Sequence, residues 1–209
     1  MTKPSLILIG AGGHARSCID VIEQQGHFQI AGLVGLPEQQ HTQHLGYAVI
    51  GADTDLPALA KNYQYALIAI GQIKTAEQRM RLYQHATQLG LQLPIIIAPT
   101  AHVSRYATIG AGTIVMHGAI VNAGANVGNN CIINSRALLE HDTSVEDHCH
   151  ISTGAILNGD VTVGAGSFIG SGCIIKQGIA IGKRSLVGMG LTVRHNLSEN
   201  TRFTRQAKL

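Results

Sequence analysis

An aliphatic residue recurs at every sixth position of the sequence between Ile97 and Val193. An α-helix repeats about every 3.6 residues and a β-strand about every 2, so neither element produces a period of six. The pattern indicates a β-helix of hexapeptide repeats, in which each coil buries its aliphatic side chains against neighbouring coils. All 17 positions of this register hold Ile, Leu or Val, namely Ile97, Val103, Ile109, Val115, Val121, Val127, Ile133, Leu139, Val145, Ile151, Leu157, Val163, Ile169, Ile175, Ile181, Val187 and Val193.

A second register, four residues after the first, holds mainly small side chains. It consists of Ala101, Ala107, Thr113, Ala119, Ala125, Cys131, Ala137, Thr143, Cys149, Ala155, Val161, Ser167, Cys173, Ile179 and Ser185. Glycine often follows the aliphatic position, as at Gly110, Gly128 and Gly164, where a corner of the coil needs a permissive backbone. Both observations fit a narrow interior and support the same β-helix.

The composition favours a repeat array over a second large globular core. Aromatic residues make up 4% of the 209 residues, Trp is absent and there are 25 glycines, as expected when small side chains fill the interior. The formal net charge of +3 is too small, and the basic residues too scattered, to predict nucleic-acid binding. We interpret the basic cluster of Arg202, Arg205 and Lys208 as a solvated tail.

The cysteines and the apolar segments predict the compartment. Three cysteines, at 131, 149 and 173, fall in the small-residue register, Cys18 lies in the first predicted helix, and no C-x-x-C pair occurs. We interpret them as buried side chains in a reducing environment. No run of about 18 apolar residues is present, and no cleavage-site pattern precedes the first strand-like segment. We therefore expect a cytoplasmic protein without membrane insertion.

The N-terminal segment begins with a strand, a glycine-rich turn and a helix. Leu6 to Ile9 has the pattern of a buried strand, the turn Gly10-Ala11-Gly12-Gly13-His14 follows, and a helical pattern continues to Ile22. Such a turn directs backbone N–H groups and a helix N-terminus at an anion, so it predicts a phosphate-bearing ligand. A tight turn with a structural role alone is the alternative.

The same turn satisfies G-x-G-x-x-A, a pattern of dinucleotide-binding folds. That interpretation requires an acidic residue at the end of the second strand to hold a ribose. Here the second strand, predicted from Gln29 to Val34, continues into Gly35, Leu36 and Pro37, and Glu38 is the first acid available. A dinucleotide oxidoreductase is therefore less favoured than another phosphate-bearing ligand.

Further elements complete a small Rossmann-like domain. We expect a helix from Leu56 to Lys61 capped by Asp53 or Thr54, a strand from Tyr65 to Ile70, and a helix from about Thr75 to Leu89. Ligands of parallel α/β sheets lie beyond the carboxyl ends of the strands, where Gly10 and Gly71 are both placed. The predicted fold is α/β plus β-solenoid, with a Rossmann-like domain over residues 1–93, a β-helix over 94–195 and a C-terminal cap or tail over 196–209.

The outward residues of the repeat are mostly Asn, Thr, Ser and Gly, with one exception. The motif Glu140-His141-Asp142 places a histidine between two acids, and His148 and His150 follow about half a coil later. A histidine with a pKa of about 6.5 can accept a proton near neutral pH, and a neighbouring carboxylate can fix its tautomer. With three hexads in each coil, Gly159 is expected directly next to His141 in the adjacent coil, which leaves room for a ligand beside the base.

The glycine-rich turn, the repeat and the Glu140-His141-Asp142 motif together resemble the bacterial sugar acyltransferases related to sialic acid O-acetyltransferase. This family includes the N-acetyltransferases of nucleotide-linked amino sugars, and the resemblance covers nearly the whole chain. It implies that the β-helix is left-handed, that three chains form a homotrimer, and that acetyl-CoA lies in the groove between neighbouring prisms.

The resemblance also implies roles for individual residues. His141 would be the general base and Asp142 would orient it. Asn134 and His150 would line the thioester end of acetyl-CoA, Gly159 would let the pantetheine pass, and the nucleotide sugar would be held by Gly10, Gly12, Gly13, His14 and Gly71. Two segments depart from the family pattern. Acidic residues common after the second strand are absent, and Thr204-Arg205-Gln206-Ala207-Lys208 replaces a G-x-P-A-K segment near the adenine end of the cofactor.

The favoured function is an acetyl-CoA-dependent N-acetyltransferase acting on a UDP- or GDP-linked 4-amino-deoxy sugar for surface-glycan synthesis, without a metal. O-acetylation of a sialic-acid-like sugar is the close alternative. A zinc hydrolyase is an alternative of another class, although His141, His148 and His150 lack a spacing that obviously converges on one ion. A non-enzymatic sensor would bind the nucleotide sugar without binding acetyl-CoA.

Overall fold

The computed structural model describes residues 2–204 and contains an N-terminal α/β domain followed by a β-helix. The α/β domain consists of β1 (Ser5–Ile9), α1 (Gly13–Gln25), β2 (Gln29–Gly35), β3 (Gln43–His44), β4 (Tyr47–Ala52), α2 (Leu56–Leu59), β5 (Tyr65–Ile68) and α3 (Glu77–Gln88), with 3₁₀ turns at Pro37–Gln39 and Asp53–Asp55. The segment that replaces G-x-P-A-K lies outside the described residues, apart from Thr204.

The five strands of the α/β domain form one sheet in the order β3-β4-β2-β1-β5. Strands β4, β2, β1 and β5 are parallel, so their carboxyl ends share one edge, whereas β3 pairs antiparallel with β4. Helix α1 covers one side of the sheet through Cys18 and Ile19, and α2 and α3 cover the other side through Leu56 and Leu82. Covering on both sides explains why β1 reads as a continuous apolar run.

Several predicted bounds and one predicted helix cap differ from the structure. Helix α2 ends at Leu59 and β5 ends at Ile68, because the chain turns earlier than the apolar pattern indicates. The carboxylate of Asp55, and neither Asp53 nor Thr54, accepts the backbone N–H of Ala52 at 2.8 Å at the start of the turn before α2.

The β-helix consists of short strands of two residues each. They are β6 (Ile96–Ile97), β7 (His102–Val103), β8 (Thr108–Ile109), β9 (Ile114–Val115), β10 (Ile120–Val121), β11 (Asn126–Val127), β12 (Ile132–Ile133), β13 (Leu138–Leu139), β14 (Ser144–Val145), β15 (His150–Ile151), β16 (Ile156–Leu157), β17 (Thr162–Val163), β18 (Phe168–Ile169), β19 (Ile174–Ile175), β20 (Ala180–Ile181), β21 (Leu186–Val187), β22 (Thr192–Val193) and β23 (Arg202–Phe203). These strands begin where the repeat begins and confirm the predicted solenoid.

The strands form the three faces of a prism. Face 1 contains β7, β10, β13, β16, β19 and β22; face 2 contains β8, β11, β14, β17 and β20; face 3 contains β6, β9, β12, β15, β18, β21 and β23. Within faces 1 and 2, each residue pairs in parallel with the residue 18 positions later, as Val121 pairs with Leu139 and Asn126 with Ser144. One coil therefore contains three hexads, and both predicted registers fill the interior.

The corners of the prism have a left-handed backbone at every sixth residue. Glycine fits this conformation at no steric cost, and Asn and Asp tolerate it better than most residues. The positive-φ corners are Gly112, Gly118, Gly124, Asn130, Arg136, Asp142, His148, Gly154, Asp160, Gly166, Gly172, Gly178, Arg184 and Gly190. The positive φ of Asp142 is therefore part of the repeat geometry.

The α/β domain packs on face 3 of the prism. Outward side chains of this face, Ile96, Ile114 and Ile132, join α1 in one buried cluster. This contact fixes the edge of the sheet that carries Gly10 and Gly71 against the prism. Between residues 2 and 204, no helix is both long and apolar enough to cross a membrane.

Candidate active site

His141 and Asp142 lie at the edge between faces 1 and 2, because β13 ends at Leu139 and β14 begins at Ser144. Nδ1 of His141 and Oδ2 of Asp142 are 2.9 Å apart. A carboxylate can only accept, so Nδ1 carries the proton of the neutral imidazole and Nε2 carries the lone pair. Nε2 is therefore the atom that can act as a base.

Glycines in the two adjacent coils make room for this pair. A Cβ at Gly159 would lie 2.6 Å from both Cε1 and Nε2 of His141, so the imidazole packs directly on the backbone of the next coil. On the other side, a Cβ at Gly124 would overlap the Asp142 carboxylate. His141 thus lies beside Gly159, as the spacing of 18 residues predicts, whereas the sequence pattern did not single out Gly124.

The charges around His141 favour its protonated form. The hydrogen bond to Asp142 is the main cause that raises the pKa of His141. Desolvation opposes this rise, and the charges of Asp142, Glu140 and Asp160 add to it. Glu140 is itself held by the side-chain amide of Asn122, which donates to it at 2.9 Å. The pair can therefore take up a proton and stabilise the resulting imidazolium.

Asn134 and His150 lie on face 3, under the α/β domain. The Nδ1–H of His150 donates to the backbone oxygen of Gln72 at 2.7 Å, so Nε2 of the neutral ring accepts from Nδ2 of Asn134 at 3.1 Å. The backbone N–H of Ser135 donates to Oδ1 of Asn134, which fixes the orientation of the amide. Neutral His150 then has no free N–H, whereas Nδ2 of Asn134 has a second hydrogen.

Burial keeps the histidines of this region neutral. His150 is 6% exposed, and burial lowers its pKa to about 4, with a further lowering by the charge of Arg79 and an opposing effect of the Gln72 carbonyl. Burial, Arg79 and His150 together lower the pKa of His14 to about 3. Nε2 of His14 is buried and has no hydrogen-bond partner among the described residues, and its Cβ lies next to Gly71.

The glycine-rich turn connects β1 to α1 at the edge of the sheet. Gly10 has a φ of +131°, and a Cβ there would lie 2.6 Å from Cγ2 of Ile70 and 2.8 Å from the carbonyl carbon of Ala69. Gly12 is the N-cap of α1, and a Cβ at Gly12 or Gly13 would meet nothing within 4 Å. The turn therefore leaves open space at the start of α1, which has no side-chain cap. Because the first amides of a helix have no intrahelical partner, an anion could bind there.

An open cavity of about 200 Å³ extends from this turn across the carboxyl ends of β1, β2 and β4. Its walls are mainly backbone and apolar side chains, and Asp53 and Gln78 add polar groups. Gln39 braces the cavity, since its side chain donates to the backbone oxygen of Ala11 at 3.2 Å and accepts the backbone N–H of Leu36 at 2.9 Å.

Arg79 is a buried connection between the two parts of the molecule. Its guanidinium donates to the backbone oxygens of Ile68 and Ile70, and to both the backbone and side-chain oxygens of Asn130 in the prism, at 2.6 to 3.1 Å. Burial lowers its pKa to about 10, so the side chain stays charged at neutral pH. The sequence placed Arg79 on a helix without assigning it a role. Its position on the apolar stripe with Leu82 was the available signal.

Within one chain, the predicted site residues form separate groups. Gly10, Gly12, Gly13, His14 and Gly71 surround the sheet edge, near Asn134 and His150, whereas His141, Asp142 and Gly159 lie half a coil away at the opposite edge of the prism. In residues 2–204, no hydrogen bond joins the two regions. The structure thus collects seven of the ten predicted residues, together with Gln72, on the face 3 side.

The histidines considered for a zinc site have different surroundings. His141 contacts Asp142, His148 contacts Asn130, and His150 contacts Gln72 and Asn134. They do not converge on one point within a chain. Among the described residues, no group of three or more His, Cys, Asp or Glu side chains could hold a metal ion.

Two family models match the chain. The PglD N-terminal domain matches residues 5–84, and the hexapeptide repeat of succinyl-transferase matches residues 160–194. No curated protein gives a significant match. Both family matches agree with the order of a small α/β domain and a hexapeptide prism.

Solved structures extend the similarity over the whole chain. The acetyltransferase domain of PglB from Neisseria gonorrhoeae, in complex with acetyl coenzyme A, is 30% identical with a TM-score of 0.86, over 95% of this chain and 94% of that chain. PerB from Caulobacter crescentus, in complex with CoA and GDP-perosamine, is 32% identical with a TM-score of 0.88, over 93% of this chain and 91% of that chain. WeeI from Acinetobacter baumannii shares the fold at 20% identity and a TM-score of 0.79, over 93% of this chain and 94% of that chain. This chain, an α/β domain followed by a left-handed β-helix, belongs to the bacterial hexapeptide-repeat sugar acyltransferases and is an acyltransferase.

Proposed function

We propose that the protein transfers an acetyl group from acetyl-CoA to the amine of a nucleotide-linked 4-amino-deoxy sugar, for surface-polysaccharide synthesis. The observation that carries this proposal is the His141–Asp142 pair packed on Gly159. The similar PglB domain contains acetyl coenzyme A, and the similar PerB contains CoA and GDP-perosamine. Residues 1–93 bind the nucleotide sugar, and residues 94–195 carry out the transfer.

In the proposed mechanism, Nε2 of His141 removes the proton that the sugar amine loses as it attacks the thioester carbon. Asp142 stabilises the imidazolium, and His141 then returns the proton to the leaving thiolate. The nitrogen–carbon bond forms and the carbon–sulfur bond breaks, so the reaction needs no redox partner or metal. A positioned base of this kind accelerates a reaction by about 10²- to 10⁴-fold.

Asn134 is the proposed donor to the developing oxyanion. His150 accepts one hydrogen of its amide at 3.1 Å, and Ser135 fixes its oxygen, so the second hydrogen has a defined direction. Because burial keeps His150 neutral, its role is to orient Asn134. Removal of one oxyanion donor costs about 10²- to 10³-fold in turnover.

These roles place His141 and Asn134 in one site, although they lie on opposite sides of one prism. Two chains must therefore meet, with the edge between faces 1 and 2 of one chain beside face 3 of its partner. Face 1 supports such a contact, because its outward residues Ile120, Leu138, Ile156 and Ile174 form an aliphatic stripe over four coils. The corresponding residues of face 2 are polar or small. We propose a homotrimer, since a closed ring of three uses this heterologous contact three times.

The nucleotide sugar is held at the other side of the same groove. The open amides of Gly12 and Gly13 at the start of α1 bind its diphosphate. Gly10 lets the turn pass close to Ala69 and Ile70, and Gly71 leaves room beside His14. The unpartnered Nε2 of His14 supports a direct contact of this side chain with the substrate.

The proposed function is tested by thiol release from acetyl-CoA with a panel of UDP- and GDP-linked 4-amino sugars and their 4-hydroxy counterparts. We expect turnover with an amino sugar, and mass spectrometry of the product should show an N-acetyl group. Turnover with hydroxy sugars alone would indicate O-acetylation instead. Binding of the nucleotide sugar without binding of acetyl-CoA would indicate a sensor.

The shared site is tested by co-expressing two inactive variants, His141→Asn and Asn134→Ala. Random assembly leaves about a quarter of the sites with both wild-type residues, so about a quarter of the activity should return. Each variant expressed alone is the control. A mixture as inactive as its components, in assemblies shown by light scattering to contain both chains, would contradict a site shared between chains.

A further inference from the structure

We propose that Asp53 recognises the base of the nucleotide sugar and that this base is guanine. This inference rests on the proposed function and deepens it by selecting GDP-linked over UDP-linked acceptors. Asp53 is the first residue after β4 and lines the cavity that begins at the glycine-rich turn. Among the residues that line it, Asp53 is the one with an ionisable side chain.

The strand order gives an approximate distance from the phosphate site to Asp53. The turn follows β1, Gly35 ends β2, and Asp53 follows β4, and these three parallel strands are neighbours in the sheet. Adjacent strands lie roughly 4.8 Å apart, so Asp53 lies about 10 Å beyond the turn across the sheet edge. A diphosphate on α1 therefore places the ribose near β2 and the base near β4.

The end of β2 provides no acid for the ribose. Dinucleotide-binding folds hold the ribose hydroxyls with an acid at this position, where this chain has Gly35, Leu36 and Pro37. The carboxylate that lines this cavity is instead that of Asp53, one strand further from the turn. Asp53 therefore lies beyond the expected position of the ribose and next to the expected position of the base.

Two of the polar side chains near Asp53 already have partners. Asp55 accepts the backbone N–H of Ala52 at 2.8 Å, and Gln39 bonds to Ala11 and Leu36. The Asp53 carboxylate has no hydrogen bond or ion pair to any side chain or backbone group in the described part of the chain, so both its oxygens are available to a ligand.

Guanine fits a carboxylate better than the other bases do. Its N1–H and 2-amino group are adjacent donors that match the two oxygens of a carboxylate. Uracil presents one N–H between two carbonyl oxygens, which the carboxylate would repel. Adenine and cytosine place a ring acceptor beside their amino group. Leu36, Ile70 and Leu82 supply apolar walls for the flat ring.

The test measures binding of GDP, IDP and UDP to the full-length protein by calorimetry, because IDP retains N1–H but lacks the 2-amino group. The wild type should bind GDP at least about 10-fold more tightly than IDP or UDP, as expected for a hydrogen bond to a charged group. Asp53→Asn should reduce the GDP preference to below about 3-fold and leave UDP affinity nearly unchanged. Glu38→Gln, which removes an acid near the cavity that does not line it, should retain the wild-type preference.

Two outcomes would overturn the role of Asp53. Equal wild-type affinity for GDP and IDP would show that the 2-amino group is not read, and an equal loss of GDP and UDP affinity in Asp53→Asn would indicate a ribose contact. Failure of the proposed function is separate: a GDP preference lost in Asp53→Asn, in a protein that acetylates no amino sugar, would refute the acetyl transfer and retain the guanine site.

Discussion

Two histidine environments of this prism differ in almost every physical respect. The side chain of His141 is 58% exposed at a prism edge, and hydrogen bonding to Asp142 raises its pKa. His150 is buried under the α/β domain, and burial lowers its pKa to about 4. His141 has a free basic nitrogen, whereas both nitrogens of His150 are occupied by Gln72 and Asn134.

The difference shows how one repeat places the same residue type in two chemical environments. At the edge, small residues in adjacent coils leave His141 accessible, so its protonation can change during a reaction. On face 3, a second domain covers His150, so its protonation is fixed and it can orient a neighbour. A substitution at the edge should therefore affect chemistry, and one on face 3 should affect stability as well.

The largest expected effect is that of His141→Asn. Turnover in the thiol-release assay should fall by about 10²- to 10⁴-fold because the base is lost. Since the side chain is exposed, the midpoint of thermal unfolding should remain that of the wild type. An exposed histidine on the same prism, His102→Asn, is the matched control and should retain activity. Full activity of His141→Asn would contradict its role as the base.

On the buried side, Arg79→Met should destabilise the protein by about 3 kcal/mol, because it leaves buried carbonyls of Ile68, Ile70 and Asn130 without their donor. The free energy of unfolding is measured by denaturant titration. Arg81→Met, an exposed arginine on the same helix, should have almost no effect. Equal stabilities of the two variants would contradict the conclusion that the buried hydrogen bonds of Arg79 stabilise the protein.

Gly159→Ala tests the contact between the base and the adjacent coil. A Cβ there would lie 2.6 Å from the His141 ring, so the imidazole must move. Displacement of a catalytic group by about 1 Å can cost roughly 10²-fold in turnover. Gly188→Ala is the matched control, because its Cβ would meet no atom closer than 3.4 Å. Wild-type turnover in Gly159→Ala would show that the contact does not position the base.

The repeat region was predictable because its constraint is periodic. A period of six, repeated over three faces, determines which side chains enter the interior, and a spacing of 18 places His141 next to Gly159. The buried contacts of face 3 have no such period. Arg79 reaches Asn130 across 51 residues, and the distance between them depends on how two domains dock. No local pattern in the sequence specifies that contact.

Part of the candidate site was visible in the sequence for the same reason. The Glu140-His141-Asp142 motif stands out because the other outward residues of the repeat are mostly Asn, Thr, Ser and Gly. Gly124 did not stand out, because glycine occurs at many corners, and its importance becomes visible only when the Asp142 carboxylate is placed against it. Gln72 did not stand out either, since its contact with His150 again joins the two domains.

Because of the buried histidines, the free energy of unfolding should decrease as the pH falls. The unfolded pKa of His150 is about 6.5 and its folded pKa is about 4, so below pH 6.5 the unfolded state binds a proton that the folded state excludes. Its contribution is complete above pH 6.5 and falls as the pH decreases towards 4, with a loss of about 2 kcal/mol at pH 5. His14 acts in the same direction.

His150→Gln should remove that part of the acid dependence, so its free energy of unfolding should change less between pH 7.5 and pH 5 than that of the wild type. Denaturant titrations at the two pH values measure the difference. His102→Gln, on an exposed strand, should retain the wild-type dependence. An unchanged dependence in His150→Gln would mean that His150 does not resist protonation in the folded protein.

The smallest expected effect is that of Asp142→Asn, a substitution at the edge between faces 1 and 2 of the prism. Loss of the carboxylate lowers the pKa of His141, because the imidazolium loses its charged partner. His141 then becomes unprotonated at lower pH, so the rising limb of kcat/KM should move to lower pH. Its plateau should fall by about 10-fold, since a neutral amide stabilises the imidazolium less well in the transition state.

A profile of kcat/KM between pH 5 and pH 9 measures both changes, and Asp160→Asn serves as the control. Asp160 acts on His141 through its charge, without a hydrogen bond, so its removal should move the limb in the same direction by a smaller amount. Equal shifts in the two variants would show that charge alone sets the pKa of His141, and that the hydrogen bond from its Nδ1 to Asp142 does not. A shift to higher pH in Asp142→Asn would contradict the assignment of His141 as the group that must lose its proton before catalysis.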